Sequence, residues 1–116
     1  MFPQFFGKGG VSPDKSGQFQ FECGDGWYPL ILNLCTDLAE IKPTPLIEVR
    51  QVKEKFGELR FTVHTRCVRA RGLIDKAMNQ SAHICETCGA EGKLYKEEYL
   101  TTLCKSCYKN QLASKE

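Results

Sequence analysis

Four cysteines in the last third of the 116-residue chain have the spacing of metal ligands. Cys85 and Cys88 form one Cys-x-x-Cys pair, and Cys104 and Cys107 form another after fifteen intervening residues. A Cys-x-x-Cys turn brings two thiolates close together, and two such pairs supply the four ligands of a tetrahedral zinc site. The pattern predicts one structural Zn²⁺ bound by these side chains, with no open coordination position for a substrate or a reactive water.

The residues between and after the two pairs predict how the ligands are carried. Gly89 follows the first pair, where a tight turn favours a residue that accepts positive φ. Residues 94–95 and 99–100 are expected to pair as a short hairpin, and a run without helix breakers follows Cys107. This order of knuckle, hairpin and helix resembles a treble-clef zinc finger over residues 85–112.

Three further cysteines lie outside these pairs. The chain holds seven in all, and an odd number cannot close completely into disulfides. The first residues lack the basic start and apolar run of a secretory signal, so we expect reduced thiols and an intracellular location. Cys23, Cys35 and Cys67 are expected to be small buried side chains. The alternative is a second metal site that combines them with His64, although their long separations carry no ligand signature.

The sequence lacks the residues that would make the zinc site catalytic. A zinc deaminase has His-x-Glu and then Pro-Cys-x-x-Cys, whereas the residue directly before Cys85 is Ile84 rather than proline. A treble-clef nuclease takes histidines from its hairpin and helix, and residues 89–116 contain none. Nucleophile motifs, phosphate-binding loops and dinucleotide fingerprints are also missing. We therefore expect a protein that is not an enzyme.

The elements before the cysteine pairs follow from hydrophobic periodicity. Apolar residues at three- and four-residue intervals predict a helix from Asp25, its candidate N-cap, to about Lys42, before two prolines. Residues 46–64 alternate as a β-hairpin that breaks at Phe56-Gly57, and residues 65–82 return to helical spacing. Trp27 and Phe61 are expected core residues of the first helix and the hairpin.

Length and composition indicate one globular domain of the α+β class. The chain is 41% hydrophobic and 26% charged, and no segment approaches the length of a membrane helix. Residues 1–20 are rich in glycine and proline and predict a flexible arm, whose phenylalanines at 2, 5 and 6 are expected to dock. We expect an α/β body at 21–84 (helix, antiparallel hairpin, helix). A treble-clef-like zinc module with four cysteine ligands is expected at 85–116, packed on the body.

Positive charge is concentrated in the middle of the chain. Residues 42–76 carry nine bases and four acids, although four thiolates and one Zn²⁺ would bring the formal charge from +2 to zero. These bases are candidate contacts for a protein partner with an acidic face. The candidates are Arg50, Lys53, Lys55, Arg60, Arg66 and Arg69.

Three motifs in order resemble a family of small phage and prophage proteins over about residues 21–108. They are Cys23-Gly-Asp-Gly-Trp27-Tyr-Pro-Leu-Ile31, Gln51-Val-Lys-Glu-Lys-Phe-Gly-Glu-Leu-Arg-Phe61, and Cys85-Glu-Thr-Cys-Gly89 with Thr102-Leu-Cys-Lys-Ser-Cys107. The resemblance implies a protein that binds and inhibits a host defence protein in the bacterial cytoplasm, most concretely a CRISPR nuclease of the Cas9 type.

Two other functions remain open at this point. A zinc-finger regulator would use the same bases on nucleic acid, but acids are interleaved with them and no aromatic side chain is expected among them on a solvent face. A small structural or assembly factor of the phage particle is the other alternative.

Overall fold

The computed structural model describes residues 2–7, 10, 19–96 and 100–113. A 3₁₀ turn, Asp25–Trp27, leads directly into the first long helix. The other elements are α1 (Pro3–Phe6), α2 (Tyr28–Ala39), β1 (Glu48–Lys55), β2 (Glu58–His64), α3 (Val68–Ser81), β3 (Lys93–Tyr95), β4 (Thr101–Leu103) and α4 (Lys105–Ala113). This order confirms the α+β class, with helix, antiparallel hairpin, helix and a C-terminal cysteine-rich region. Within the described residues, no helix is both long and apolar enough to span a bilayer.

Strands β1 and β2 form the antiparallel hairpin that supports the body. The turn between them consists of Phe56 and Gly57, both at positive φ, as two-residue hairpin turns of type I′ require. A bulge between Val49 and Gln51 shifts the register at the far end. On the open side of β1, the amide of Glu22 donates to Val52 O at 2.8 Å and the amide of Glu54 donates to Glu22 O at 3.1 Å. The hairpin therefore has a short parallel neighbour along β1.

The hydrophobic core lies between the hairpin and the two long helices. Trp27, Ile31 and Leu38 are fully buried on one face of α2 and its leading turn, as the periodicity predicts. Leu59 and Phe61 are buried on the inner face of β2. The core assignments of Trp27 and Phe61 are therefore confirmed.

The described part of the N-terminal arm docks on this core. Phe5 and Phe6 are buried, and the Phe6 ring meets Phe19 and Phe61 edge to face at centroid distances of 4.9 and 6.3 Å. The expected docking of these phenylalanines is therefore confirmed, with Phe2 half-buried against them. The predicted flexibility of the arm also concerns residues 1, 8–9 and 11–18, which lie outside the described residues.

The predicted helix boundaries need correction at three places. Asp25 lies in the 3₁₀ turn, and no side chain caps α2. This helix ends at Ala39, before the two prolines are reached, because the amide of Glu40 turns back to Asp37 O. The second long helix begins only at Val68, since the side chain of Thr65 donates instead to Leu46 O at 2.7 Å.

Candidate metal centre

The first cysteine pair lies on a tight knuckle between α3 and β3. The amide of Cys85 donates to Ala90 O at 2.7 Å, and the amide of Gly89 donates back to Cys85 O at 2.9 Å. Gly89 has φ +85°, which only glycine adopts at low cost, so its predicted role in the knuckle is confirmed. The amide of Cys88 points at the Cys85 sulfur, 3.5 Å away.

The second pair joins the end of β4 to the start of α4. The amide of Cys107 lies 3.4 Å from the Cys104 sulfur, which repeats the relation found in the first pair. The amide of Tyr108 donates to Cys104 O at 3.0 Å and starts the helical bonding. Each pair therefore has one sulfur that accepts a hydrogen bond from the amide of the other cysteine, an arrangement that stabilises thiolates.

The hairpin between the pairs exists, but its predicted register is wrong. Leu94 pairs with Thr102 and Tyr95 with Thr101, whereas the sequence predicted pairing with residues 99–100. The β-branched threonines suit a strand that runs straight into Cys104. Leu100 precedes β4, and Tyr99 lies outside the described residues.

The four sulfurs converge on one point. All four Sγ atoms lie within 4.8 Å of one another, and those of Cys88 and Cys104 are 3.6 Å apart. A tetrahedral zinc with Zn–S bonds of about 2.3 Å places its sulfurs roughly 3.8 Å apart, so the cluster has the dimensions of such a site. The structure therefore positions Cys85, Cys88, Cys104 and Cys107 to bind a metal ion.

Hydrogen bonds at the cluster shift the pKa values of Cys85 and Cys107 in opposite directions. Burial works to raise the pKa of Cys85, but donated amide hydrogen bonds outweigh it and lower this pKa to about 6. Hydrogen bonding with the sulfurs of Cys104 and Cys85 raises the pKa of Cys107 to about 12. The Cys85 thiolate thus forms easily, whereas Cys107 resists ionisation. Four thiolates this close together would repel one another, and a divalent cation compensates that repulsion and binds with release of protons.

A turn at the start of the body packs directly against the knuckle. The amide of Gly24 donates to the Glu86 carboxylate at 2.8 Å, and the amide of Gly26 donates to Glu86 O at 2.7 Å. The indole nitrogen of Trp27 donates to Ile84 O at 2.9 Å. Three donors of this turn therefore hold Ile84 and Glu86, the residues on either side of Cys85.

Both glycines of the turn are required by close approach. A Cβ at Gly26 would collide with Cys85 O and lie 2.6 Å from Gly89 N, and a Cβ at Gly24 would collide with Glu86 O. The backbones meet so tightly that no side chain fits between them. The Gly-Asp-Gly-Trp motif therefore packs against the first cysteine pair and supports it.

The tip of the β1–β2 hairpin packs on the other side of the cysteine-rich region. The Thr102 hydroxyl donates to Gly57 O at 2.5 Å, and the amide of Glu86 donates to Thr102 O at 2.9 Å. A Cβ at Gly57 would collide with the Leu94 side chain and lie 3.2 Å from the Leu100 carbonyl carbon. Two glycine-containing turns of the body, at residues 24–26 and 56–57, thus pack against the segments that contain the four cysteines.

Sequence reasoning found the four ligands but missed the residues that hold them. Gly24, Gly26 and Gly57 lie within the motifs, and repeated glycine signals close backbone approach. The sequence does not show what approaches, because the contacting residues lie far along the chain. Glu86, which accepts from two amides of the turn, gave no signal beyond its position between ligands.

The alternative second metal site is not formed. Among the described residues, the only convergent group of His, Cys, Asp or Glu ligands is the four-cysteine cluster. Cys35 is buried in the core, where burial raises its pKa to about 12. Cys67 is the N-cap of α3, and its sulfur accepts from the Ala70 amide at 3.4 Å. Burial and the nearby Glu86 charge also raise the pKa of Cys23 to about 12.

The six candidate contact bases fall into two groups. The hairpin cations are Arg50, Lys53, Lys55 and Arg60. The helix-start arginines are Arg66 and Arg69. Arg50 lies 3.4 Å from Glu48 and Arg60 lies 3.5 Å from Glu58, so neighbouring acids partly neutralise the first group. Within the part of the chain that the structure describes, neither helix-start arginine forms an ion pair.

One aromatic side chain does lie among the hairpin cations, contrary to the sequence prediction. Phe56 is 62% exposed at the hairpin tip, and the Lys55 ammonium lies 5.5 Å from its ring centroid. Its φ of +54° is unfavourable for a bulky residue. Lys53 and Arg60 face each other across the strands behind it.

Comparison of the chain with protein-family models, with curated proteins and with solved structures gave no match.

Proposed function

We propose that this protein is a non-catalytic zinc protein of phage origin that binds and inhibits a host defence protein in the bacterial cytoplasm. The most concrete target is a CRISPR nuclease of the Cas9 type. The observation behind the zinc assignment is the convergence of four cysteine sulfurs, because four-thiolate tetrahedral sites select zinc or iron–sulfur chemistry. In each of the two turns, one sulfur also accepts an amide hydrogen bond. This arrangement favours the thiolate form that binds a single metal ion.

The zinc ion is structural in this proposal. When bound, Zn²⁺ supplies four metal–sulfur bonds that cross-link the knuckle to the start of α4. Between residues 85 and 112 the described side chains bury little apolar surface, with Cys85 and Leu103 the buried hydrophobic residues. A segment with so small a core needs a metal to hold its shape.

The inhibitory role is supported by the motif resemblance and by the exposed bases. Inhibition without catalysis requires a surface that competes for the target's own contacts, and basic side chains suit the acidic faces by which a nuclease could be held. Both groups of cations are at least partly exposed to solvent. A bound inhibitor of this kind would act in a fixed ratio to its target.

The experiment is a cleavage and capture assay with a purified Cas9-type nuclease, with and without guide RNA. We expect cleavage to fall as inhibitor approaches equimolar amounts, with co-elution of the two proteins. A pull-down from a defence-bearing host, with captured proteins identified by mass, extends the test to other defence targets. Unchanged cleavage together with no defence protein captured from that host contradicts the proposal.

A nucleic-acid-binding regulator is the second candidate, favoured by Phe56. An exposed ring beside Lys55, with two more bases behind it, is a combination that binds single strands by stacking and phosphate contact. This function predicts DNA binding that weakens steeply as salt rises. It also predicts that Phe56→Ala weakens binding, whereas the inhibitor proposal predicts negligible DNA affinity at physiological salt.

Reversal of three hairpin cations separates the two functions further. The triple variant R50E/K53E/R60E should keep the melting temperature, because partly exposed charges contribute little to stability. A regulator would lose DNA binding in this variant. An inhibitor that uses the hairpin would lose capture of the nuclease.

A further inference from the structure

We infer that the groove beside α1 is the docking site for a partner-protein segment that carries an apolar anchor flanked by acidic residues. The inference rests on the proposed function, since it assigns the partner surface of that inhibitor. The groove has a volume of about 940 Å³ and lies between α1, the segment before β1 and the segment before α3. It is on the opposite end of the hairpin from Gly57 and the cysteine cluster.

The groove combines a buried apolar floor with unusually exposed apolar edges. Phe5, Ile47 and Val49 are buried and line it. Leu46, also in the lining, is 92% exposed, and Val68, directly after the lining residue Cys67, is 83% exposed. Leu46 and Val68 are the most exposed large hydrophobic side chains among the described residues. Covering them would remove apolar surface from water at a place already shaped to receive a side chain.

The charge of the rim selects an acidic occupant. Arg66 lines the groove and Arg69 lies three residues further on, at the start of α3, both exposed and without an ion pair among the described residues. The one acid in the described lining, Glu48, is already paired with Arg50 at 3.4 Å. Among the described residues, no acid neutralises the positive charge at this rim, whereas two of the hairpin cations have acidic neighbours.

The same features disfavour the other occupants. Nucleobases need an accessible ring to stack on, and the phenylalanines that line this groove, Phe5 and Phe6, are buried. A second copy of the chain in a two-fold contact would bring Arg66 against a like-charged rim. An apolar side chain with flanking carboxylates satisfies both the floor and the rim.

The test uses a short fluorescein-labelled peptide of leucine and glutamate, and a matched peptide with lysine in place of glutamate. Binding is followed by anisotropy and by amide shifts in the ¹⁵N-labelled full chain. We expect the acidic peptide to shift amides of residues 44–49 and 64–69, and the basic peptide to leave them unchanged. Equal shifts with both peptides, or no shifts in these segments, overturn the inference. Shifts of the same amides with protein concentration alone show self-association and also overturn it.

Matched variants give the second readout. Leu46→Asp should weaken binding of the acidic peptide by about tenfold or more, since it removes a leucine contact that binding would bury and adds a charge that repels the peptide. The control Leu112→Asp changes an exposed leucine on α4 and should have no effect. Arg66→Glu with Arg69→Glu should weaken binding by about fivefold, whereas Lys76→Glu, also exposed on α3, should not.

Failure of this inference differs from failure of the proposed function. If the function is wrong, the wild-type protein captures no defence protein, although the peptide can still bind the groove. If only the location is wrong, the captured target is held equally by wild type and by Leu46→Asp, and is lost in the hairpin-cation variant. Leu46 is exposed, so unchanged melting of Leu46→Asp should confirm that folding is intact.

Discussion

The indole nitrogen of Trp27 donates a hydrogen bond to the carbonyl oxygen of Ile84 at 2.9 Å, one residue before the first cysteine of the cluster. Trp27 is fully buried in the core of the body, so a single side chain spans the core and the metal knuckle. Disorder at the knuckle would leave a buried donor unpaired, which costs about 1–3 kcal/mol. Metal binding and core packing are therefore linked through this contact.

This link predicts that metal removal is reported by tryptophan fluorescence. Trp27 is the only tryptophan of the chain, so its emission has one source. A strong chelator should shift the emission to longer wavelength as the knuckle opens and water reaches the indole. Trp27→Phe has no tryptophan, so metal release from both proteins is compared by the absorbance of a chromogenic chelator. The variant should release metal faster than wild type while retaining most of the packing. Equal release rates for the two proteins would show that the contact does not couple the sites.

Cysteine replacements distinguish ligands from other thiols. Native protein should contain one zinc per chain by elemental analysis, and Cys104→Ser should lose it together with the fold of the cysteine-rich region. Cys67→Ser is the matched control, because serine is a good N-cap for α3 and should keep both metal and stability. Native protein without zinc would contradict the assignment, as would full metal retention in Cys104→Ser.

Two glycine replacements should have opposite effects on stability. Gly26→Ala places a Cβ against Cys85 O and should destabilise the protein by about 2 kcal/mol or more. Gly72→Ala lies in α3 with nothing within 4 Å of its Cβ, so it should stabilise by about 0.5–1 kcal/mol. Urea unfolding with metal present measures both. A neutral Gly26→Ala would mean that the turn and knuckle separate easily.

The core assignment carries its own test. Phe61→Ala removes a buried ring in contact with Phe6 and should cost about 3–5 kcal/mol, much of a small domain's stability. Leu94→Ala, at a partly exposed position, should cost far less. The comparison is made by thermal unfolding. Loss of partner binding at an unchanged melting temperature in Phe61→Ala would move that residue from the core to the interface.

Alkaline pH should destabilise the protein through Cys35. Burial raises the pKa of this thiol to about 12 from its ordinary value of 9.0. Between these two values the unfolded chain releases a proton that the folded chain retains. The contribution of Cys35 to the free energy of unfolding is therefore fully present below pH 9 and falls as pH rises toward 12. The slope should approach about 1.4 kcal/mol per pH unit. Urea unfolding of Cys35→Ala should lack this component, and an identical slope in both proteins would refute it.

Local sequence patterns sufficed for much of the fold and for the metal ligands. Periodicity placed α2, the hairpin and α3, because each element has one apolar face that a pattern of two or 3.6 residues records. The spacing of Cys85, Cys88, Cys104 and Cys107 predicted their convergence, which the structure confirms. The start of α3 was misplaced because the Thr65 bond to Leu46 O depends on a tertiary contact.

The contacts that hold the cysteine cluster on the body could not be predicted from local sequence patterns. Gly26 meets Cys85 and Gly57 meets Leu94 across long stretches of chain, and one sequence offers no pairing information over such distances. The β3–β4 register was wrong for a related reason, since a three-residue strand carries too little alternation to fix its partner. Exposure of Phe56 follows from the turn geometry, which the Phe-Gly break alone did not reveal.

The short parallel pairing of Glu22 with β1 also affects how readily the protein aggregates. An unpaired strand edge is a template on which further chains add, and two-stranded sheets offer two such edges. Here Glu22 occupies Val52 O and the Glu54 amide on one edge, while Ser81 Oγ accepts from the Leu59 amide at 3.0 Å on the other. Intermolecular strand addition, the first step toward aggregation, thus has to displace existing bonds in β1 and at the start of β2. The proposed inhibitor, acting in a fixed ratio to its target, would benefit from strand edges that are partly occupied in this way.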